Sequence, residues 1–437
     1  MSLLDKAMLD RRQLFALGLG SAATIGLAAC GGSAASSPAA TDDSVVSSAG
    51  GQTAAGPDIK VGLICVEDEN SGYDASHIDG CTAAIKALGI DEKNLIIKKD
   101  IPEDESCYDN AVDLAEEGCS IIFSDSYGHQ SYMMQAASEY PDVTFVACTG
   151  DMAASSGLDN YKNIFPHTYE SRYVSGVVAG MKLAELIAAD PSLDPYVGYV
   201  GAYPYAEVVS GMTAFFLGVR SVVPEAHMDV QYTNSWYDPT AEGAAAEALM
   251  SKGCSIISQH ADSTGAPSAV QAAHDKGQNV YCVGYNVDMR SVAPDVALTS
   301  AQNNWSVLYE HMLSCFVNGE EVPVDFSAGY ADDAVMISDL GDACAEGTQE
   351  AVDAAWAGIA DGSIRVFDTA SFTCQPATDG SYVVDDAGVV TSAFGLDADG
   401  DFVNDNGEAI VDGAFVESSL RSAPYFSLRI DGITELN

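Results

Sequence analysis

The run Ile59-Lys60-Val61-Gly62-Leu63-Ile64-Cys65-Val66 is apolar at almost every position, the pattern of a strand buried on both faces. Residues 73–88 then carry apolar side chains at helical spacing, and Gly89 closes the pattern. The alternation continues with strand 95–98, helix 108–117, strand 120–124, helix 131–140 and strand 143–148. A long helix is expected over 171–189, where Ser175, Gly176, Ala179 and Gly180 are small enough to let another helix approach closely. Strands at 197–201, 228–232, 255–258 and 280–283 then alternate with helices at 207–222, 240–251 and 267–276. Strict alternation of β and α implies an α/β protein with parallel sheets covered on both faces.

The stretch Gly118-Cys119-Ser120-Ile121-Ile122 recurs as Gly253-Cys254-Ser255-Ile256-Ile257, and each copy ends a helical run and begins a strand. The echo extends through Gln135-Ala136-Ala137 and Gln271-Ala272-Ala273. Two lobes built alike are expected, facing each other across a cleft. From about residue 363 the pattern changes to short alternating segments rich in Asp, Gly, Val and Thr, expected to form a β-rich, acidic appendage over 363–437.

The first residues read as targeting rather than fold. Arg11-Arg12-Gln13-Leu14-Phe15 precedes an apolar run over 16–29 too short to span a bilayer, and the arginine pair resembles a twin-arginine export signal. Leu27-Ala28-Ala29-Cys30-Gly31 resembles a bacterial lipobox, in which cleavage before Cys30 leaves a thiol that carries lipid. Residues 1–29 are therefore expected to be a signal peptide, and 30–57 a lipidated Cys30 with a Gly/Ala/Ser/Thr/Pro tether. No later run is long and apolar enough to span a membrane. The expected location is the extracytoplasmic face of a bacterial cell membrane, held by lipid alone.

Across 437 residues, 18 Lys+Arg face 64 Asp+Glu, a formal charge of −46 that excludes nucleic acid and anionic headgroups as partners bound through surface charge. Ten cysteines besides Cys30 permit disulfides in an exported chain, but Cys65, Cys119, Cys148, Cys254 and Cys282 stand in apolar strands as small hydrophobes do. No GxSxG, HExxH or GxxxxGK[ST] motif occurs, so no enzyme and no cofactor is expected. Asp397-Ala398-Asp399-Gly400-Asp401, with Asp405 and Glu408, suggests a calcium loop, but Phe402 stands where the sharp turn needs glycine, which favours a solvated acidic turn.

Ligands of parallel sheets sit at the C-terminal ends of strands, and here those loops mix aromatic and polar residues. They are Ser71-Gly72-Tyr73-Asp74, Ser124-Asp125-Ser126-Tyr127-Gly128, Asn234-Ser235-Trp236-Tyr237-Asp238-Pro239, Gln259-His260-Ala261-Asp262-Ser263 and Gly284-Tyr285-Asn286-Val287-Asp288. A flat heteroaromatic ligand needs ring faces above and below and amide or carboxylate groups at its edge, which this set supplies. His77 and His260 lack a second carboxylate at ligand spacing, so capping or pocket roles are expected rather than a metal site. Glu170 and Arg172 open a helix and read as hinge structure.

These loops, together with Asn163-Ile164-Phe165, Tyr169-Glu170-Ser171-Arg172-Tyr173, Leu298-Thr299-Ser300 and Asn303-Asn304-Trp305, resemble the basic membrane protein family over roughly 58–330. These are solute-binding lipoproteins of ABC importers. The resemblance implies a type I periplasmic-binding-protein fold: two doubly wound lobes, 58–166 plus about 298–325 and 167–297 plus about 326–362, joined by a hinge. They would close on a purine nucleoside or purine base and pass it to ABC permease subunits. It places Tyr73 and Trp236 as opposed stacking rings and Asp74, Ser126, Tyr127 and Asp262 in the pocket, with Asp238, His260, Asn286, Asp288, Asn303 and Trp305 as further ligand-binding candidates. Members that bind nucleosides have an acid at the position of Asn286 and a lysine near Asn303. Both are amides here, which weakens ribose recognition and makes a free base more plausible. The alternatives are an exported nucleoside hydrolase and a ligand-sensing subunit of a signalling receptor.

Overall fold

A computed structural model of the chain describes residues 57–378, 380–394 and 407–437. The export signal, Cys30, the tether up to residue 56 and the acidic turn at 397–405 lie outside the described residues. Strands and helices alternate from β1 (Val61–Ile64) and α1 (Gly72–Ala87) through β2 (Leu95–Lys98), α2 (Glu105–Glu116), β3 (Ile121–Ser124), α3 (Gln130–Glu139), β4 (Thr144–Ala147) and β5 (Tyr161–Pro166). The second series runs α4 (Thr168–Ala189), β6 (Tyr196–Gly201), α5 (Ala206–Val222), β7 (His227–Tyr232), α6 (Pro239–Lys252), β8 (Ile256–His260), α7 (Gly265–Asp275), β9 (Tyr281–Tyr285) and β10 (Ala297–Asn303). Then come α8 (Trp305–Asn318), β11 (Asp325–Ala328), β12 (Val335–Ile337) and α9 (Thr348–Asp361). The chain closes with β13 (Tyr382–Val384), β14 (Val390–Ala393), β15 (Ile410–Val411), β16 (Ala414–Phe415) and β17 (Ile433–Glu435).

Two sheets result, in the orders β11-β5-β4-β3-β1-β2 and β12-β10-β9-β8-β6-β7-β17. All pairs in them are parallel except β10 with β12. The repeated pentapeptides occupy matching places: β3 lies between β4 and β1, β8 between β9 and β6. Gly118 (φ 88°) and Gly253 (φ 109°) turn the chain out of α2 and α6 in the left-handed region that favours glycine. Between α4 and α5 the small residues act as expected, since a Cβ on Gly176 would meet the Phe215 carbonyl oxygen at 2.0 Å and one on Gly218 the Tyr173 oxygen at 2.0 Å.

The chain crosses between lobes at β5/α4, β10/α8 and β11/β12. The second and third crossings correct the expected boundaries. The sequence places residues from about 298 in the first lobe, but Ser300 and Ala301 of β10 pair with Gly284 and Tyr285 of β9, so the switch comes at Asn304. A buried strand looks the same whichever sheet receives it. The third crossing follows β11, whose Ala328 pairs with Pro166 of β5, rather than residue 325.

The described residues of the expected appendage pack into the second lobe. Phe367, Phe372, Phe415, Tyr425, Phe426, Leu428 and Ile430 are buried in one cluster with Val177, Phe215 and Phe216 of α4 and α5 and Met228 of β7. β17 extends the second sheet beside β7. The two small hairpins could not have supported a core alone. The same segment reaches the first lobe, where the Ser422 N–H donates to both Asp325 carboxylate oxygens at 3.1 Å and Arg421 pairs with Asp151 at 3.2 Å.

Candidate ligand-binding cleft

Between the lobes lies a tight cavity with about 20 Å³ of accessible space, well below the range of an open small-molecule site. Its walls come from the C-terminal ends of strands in both sheets. From the first lobe these are Val66 after β1, Tyr73 in the first turn of α1, Asp125, Ser126 and Tyr127 after β3, and Thr149 after β4. From the second they are Glu207 in the first turn of α5, Trp236 after β7, Asp262 after β8 and Tyr285 at the end of β9.

Local structure holds these groups. Ser71 caps α1, accepting from the Asp74 N–H, and this sets Tyr73 on the first turn. The Tyr73 hydroxyl donates to the Cys148 carbonyl at 3.1 Å, while its ring lies 4.5 Å from His77 and edge-on to Trp305 at 6.0 Å. Trp236 packs edge-on against Tyr203 at 5.3 Å, and its carbonyl accepts from the Asp262 N–H at 2.8 Å. The lobes are joined at the cleft by the Gly72 N–H, which donates to the Asp262 carbonyl at 3.0 Å. Tyr127 donates to Asp151 at 2.8 Å, the same carboxylate that pairs with Arg421, so the C-terminal segment reaches a cavity-wall side chain through one intermediary.

Burial governs the electrostatics. It pushes the Glu207 carboxyl up to about 7 against the opposing pull of Arg172. Asp262 is raised well above the carboxylate range by burial and then by the charges of Asp74, Glu242 and Glu207. Asp125 is raised by burial and by Asp74, which faces it. Cys65, Asp74 and Asp125 bring ligand atoms within 4.8 Å of one another, and burial also drives the Cys65 thiol up. Arg172 is fully buried, donates to the Gln259 carbonyl at 2.6 Å and stacks 3.6 Å from the centre of the Tyr285 ring. It thereby ties α4 to the end of β8, a structural role.

Known proteins share this fold. The Bmp family model, described as ABC transporter substrate-binding protein PnrA-like, matches residues 60–369. The chain belongs to the Bmp family. A purine-binding protein of Brucella abortus is 33% identical over 62% of this chain and 72% of its own length. A Haloferax volcanii protein, named as a candidate ABC transporter glucose-binding protein, is 33% identical over 52% of this chain and 54% of its own length. Among solved structures, ABC transporter solute-binding proteins of Aeropyrum pernix (TM-score 0.60, 16% identity, 74% of this chain and 95% of that one) and Conexibacter woesei (0.56, 21%, 70% and 98%) share the fold. This Bmp-family chain is thus an ABC transporter solute-binding protein with the two-lobed type I architecture. Among the described residues, no helix is long and apolar enough to cross a membrane.

Of the candidates read from the sequence, Tyr73, Ser126, Tyr127, Trp236 and Asp262 line the cavity. The others stand elsewhere. Asp74 is buried beneath it, accepting from the Glu67 N–H at 2.8 Å. Asp238 caps α6 through the N–H groups of Thr240 and Ala241, and Asp288 binds Arg290. His260 is buried, 3.2 Å from the Tyr199 hydroxyl and 3.4 Å from Glu207, so it supports the wall from behind. His77 lies in the first-lobe core beside Tyr309, in a different lobe from His260. Trp305 belongs to that same core. Asn303 accepts from Thr168 at the first crossing. Glu207 is a wall residue that the sequence reading misses. An acid in the first turn of the helix after β6 is its only signal, and that is shared with ordinary caps.

Asn286 acts through a neighbour, its amide donating to Asp262 at 2.9 Å. Asn286→Asp would therefore not restore ribose binding. The aspartate would set two carboxyls face to face, and a loss on the order of 1–3 kcal/mol in stability is expected, read from urea denaturation. A variant as stable as the parent would refute the role of this bond.

Glu207, Glu242 and Glu417 are each raised by burial from 4.5 to about 7. Such a carboxyl holds its proton more tightly folded than unfolded, so its contribution is fully present below 4.5 and lost as pH rises through about 7. Buried His77, His129 and His260, lowered from 6.5 by burial, pull the other way, gaining stability as pH rises through 6.5. The carboxyl contribution is therefore read as a difference: between about pH 5.5 and about pH 8 the urea midpoint of Glu417→Gln is expected to fall less, or rise more, than that of the parent. Parallel pH profiles for the two would contradict the assignment.

Proposed function

We propose that this Bmp-family protein captures a purine base or nucleoside outside the cell membrane and delivers it to ABC permease subunits, anchored by lipid on Cys30. The observation that carries this reading is the pair of rings, Tyr73 from one lobe and Trp236 from the other, on the walls of a single interlobe cavity edged with carboxyl and hydroxyl groups. Stacking faces plus edge groups suit a flat heterocycle. The purine-binding name of the Brucella relative supports it. Hinge motion at the three crossings opens and closes the cleft, and no bond is made or broken.

Isothermal titration of the chain from Asp58 with adenine, hypoxanthine, adenosine and inosine tests the reading. Saturable heat is expected with at least one purine, with the free bases favoured over their nucleosides. No heat with any of them, together with binding of glucose, would turn the assignment to a sugar. Chromatography of the ligand after prolonged incubation addresses hydrolysis, and the ligand is expected back unchanged.

A further inference from the structure

The cavity is rich in acid and poor in base. Asp125, Glu207 and Asp262 stand on its wall with the rings of Tyr73, Trp236 and Tyr285, and among the described residues no lysine or arginine lines it. The nearby cation, Arg172, lies behind the wall and gives one N–H to the Gln259 carbonyl and its face to Tyr285, while its Nε and one terminal nitrogen have no hydrogen-bond partner among the described residues. Two of the carboxyls are incompletely satisfied. Asp262 accepts from Asn286 through one oxygen, and Glu207 has only the 3.4 Å contact with His260 through one of its own. Among the described residues no hydrogen bond reaches the second oxygen of either. The Glu207 side chain keeps 15% exposure, so its free oxygen can accept from a ligand, and Asp125 on the same wall has a buried oxygen without a partner among the described residues. Aromatic faces beside carboxylates attract cations, and this wall supplies both. A formal charge of −46 over the whole chain adds a long-range pull of the same sign.

We infer that the cleft selects a positively charged or amino-bearing purine, with Glu207 and Asp262 as the specificity-determining acceptors, and that it rejects anionic oxopurines. This rests on the purine reading and sharpens it. A cation seated between Glu207 and Asp262 displaces the proton held there to solvent, so binding and proton release are coupled. The groups that face Glu207 are Arg172 on α4, His260 on β8, Tyr199 on β6, Tyr73 on α1, Tyr285 on β9 and Asp262. Burial and Arg172 keep His260 neutral, and burial holds the three tyrosines protonated, which leaves the carboxyls as the source of the proton.

The experiment is titration calorimetry of the chain from Asp58 with 1-methyladenosine, adenine, xanthine and urate, each in two buffers of different ionisation enthalpy. 1-Methyladenosine, cationic at neutral pH, and adenine are expected to bind at least tenfold more tightly than xanthine or urate. The heat for 1-methyladenosine is expected to depend on the buffer in the sense of proton release. Glu207→Gln and Asp262→Asn should each narrow that preference tenfold or more, with thermal unfolding scans showing a folded variant. Xanthine or urate bound as tightly as the cation would overturn the inference while leaving the purine reading intact. If no purine binds, 1-methylnicotinamide, a flat cation methylated on its ring nitrogen, decides between the two. Its binding would sink the purine reading and support selection of a flat cation, and its failure would sink both.

Discussion

Replacing Phe426 with alanine is expected to cost the folded protein about 3–5 kcal/mol, the range for removing a large ring from a packed core. Phe426 is fully buried, stacks on Phe367 at 4.2 Å and meets Phe415 edge-on at 4.8 Å. Its N–H donates to Glu417, a buried carboxyl that also receives the Tyr425 N–H. The ring therefore plugs the second lobe, although residues 370–437 lie beyond the family match. Urea denaturation followed by circular dichroism measures the loss. A cost below about 1 kcal/mol, far under the usual value for such a ring, would mean that the C-terminal segment is separable from the lobe. Truncation after residue 369 should be more severe, since it also removes β17 from the edge of β7 and uncovers Phe367 and Phe216. An insoluble or molten product is expected, and a soluble, cooperatively unfolding one would refute the account.

Trp236→Ala should weaken purine binding by about 1–3 kcal/mol, the usual value of one aromatic stacking partner for a base, or roughly 5- to 150-fold in Kd. The loop should keep its shape, because Trp236 holds Asp262 through its main-chain carbonyl, which the substitution leaves in place. Tyr73 needs a different variant. Its ring also touches His77 and Trp305 in the first-lobe core, so Tyr73→Ala would mix lost packing with lost stacking. Tyr73→Phe removes only the hydroxyl and its bond to Cys148. It should leave stacking intact and cost no more than about 1 kcal/mol, the worth of one neutral hydrogen bond. Titration calorimetry of the three variants separates these contributions. Unchanged affinity in Trp236→Ala would make that ring a packing partner of Tyr203 and nothing more.

The loops after strands were legible because parallel sheets direct their ligands there whatever the sequence of the rest. Tyr73, Ser126, Tyr127, Trp236 and Asp262 stand in those loops, and the family resemblance singled them out from their neighbours. Asp238 and Asp288 come from the same loops and yet cap or brace them, and sequence cannot separate the two uses because a capping aspartate and a ligand-facing one have the same neighbours in the chain. Asn286 reads as a lost charge, whereas it orients Asp262. Glu207 reaches the cavity by the packing of α5 against the strands, which no local pattern records.

By itself the sequence determined the α/β alternation, the two equivalent lobes and the family, since these follow from periodicity, from a repeated pentapeptide at helix ends and from motifs read along the chain. Only the tertiary structure decided which sheet received β10, that the C-terminal residues complete the second lobe's core, and which acids face the cavity. Those outcomes depend on contacts between residues far apart in the chain, such as Phe426 on Phe367 and Arg172 on Tyr285. Burial then sets the protonation of Glu207 and Asp262, a property of the folded surroundings that the residue type alone does not carry.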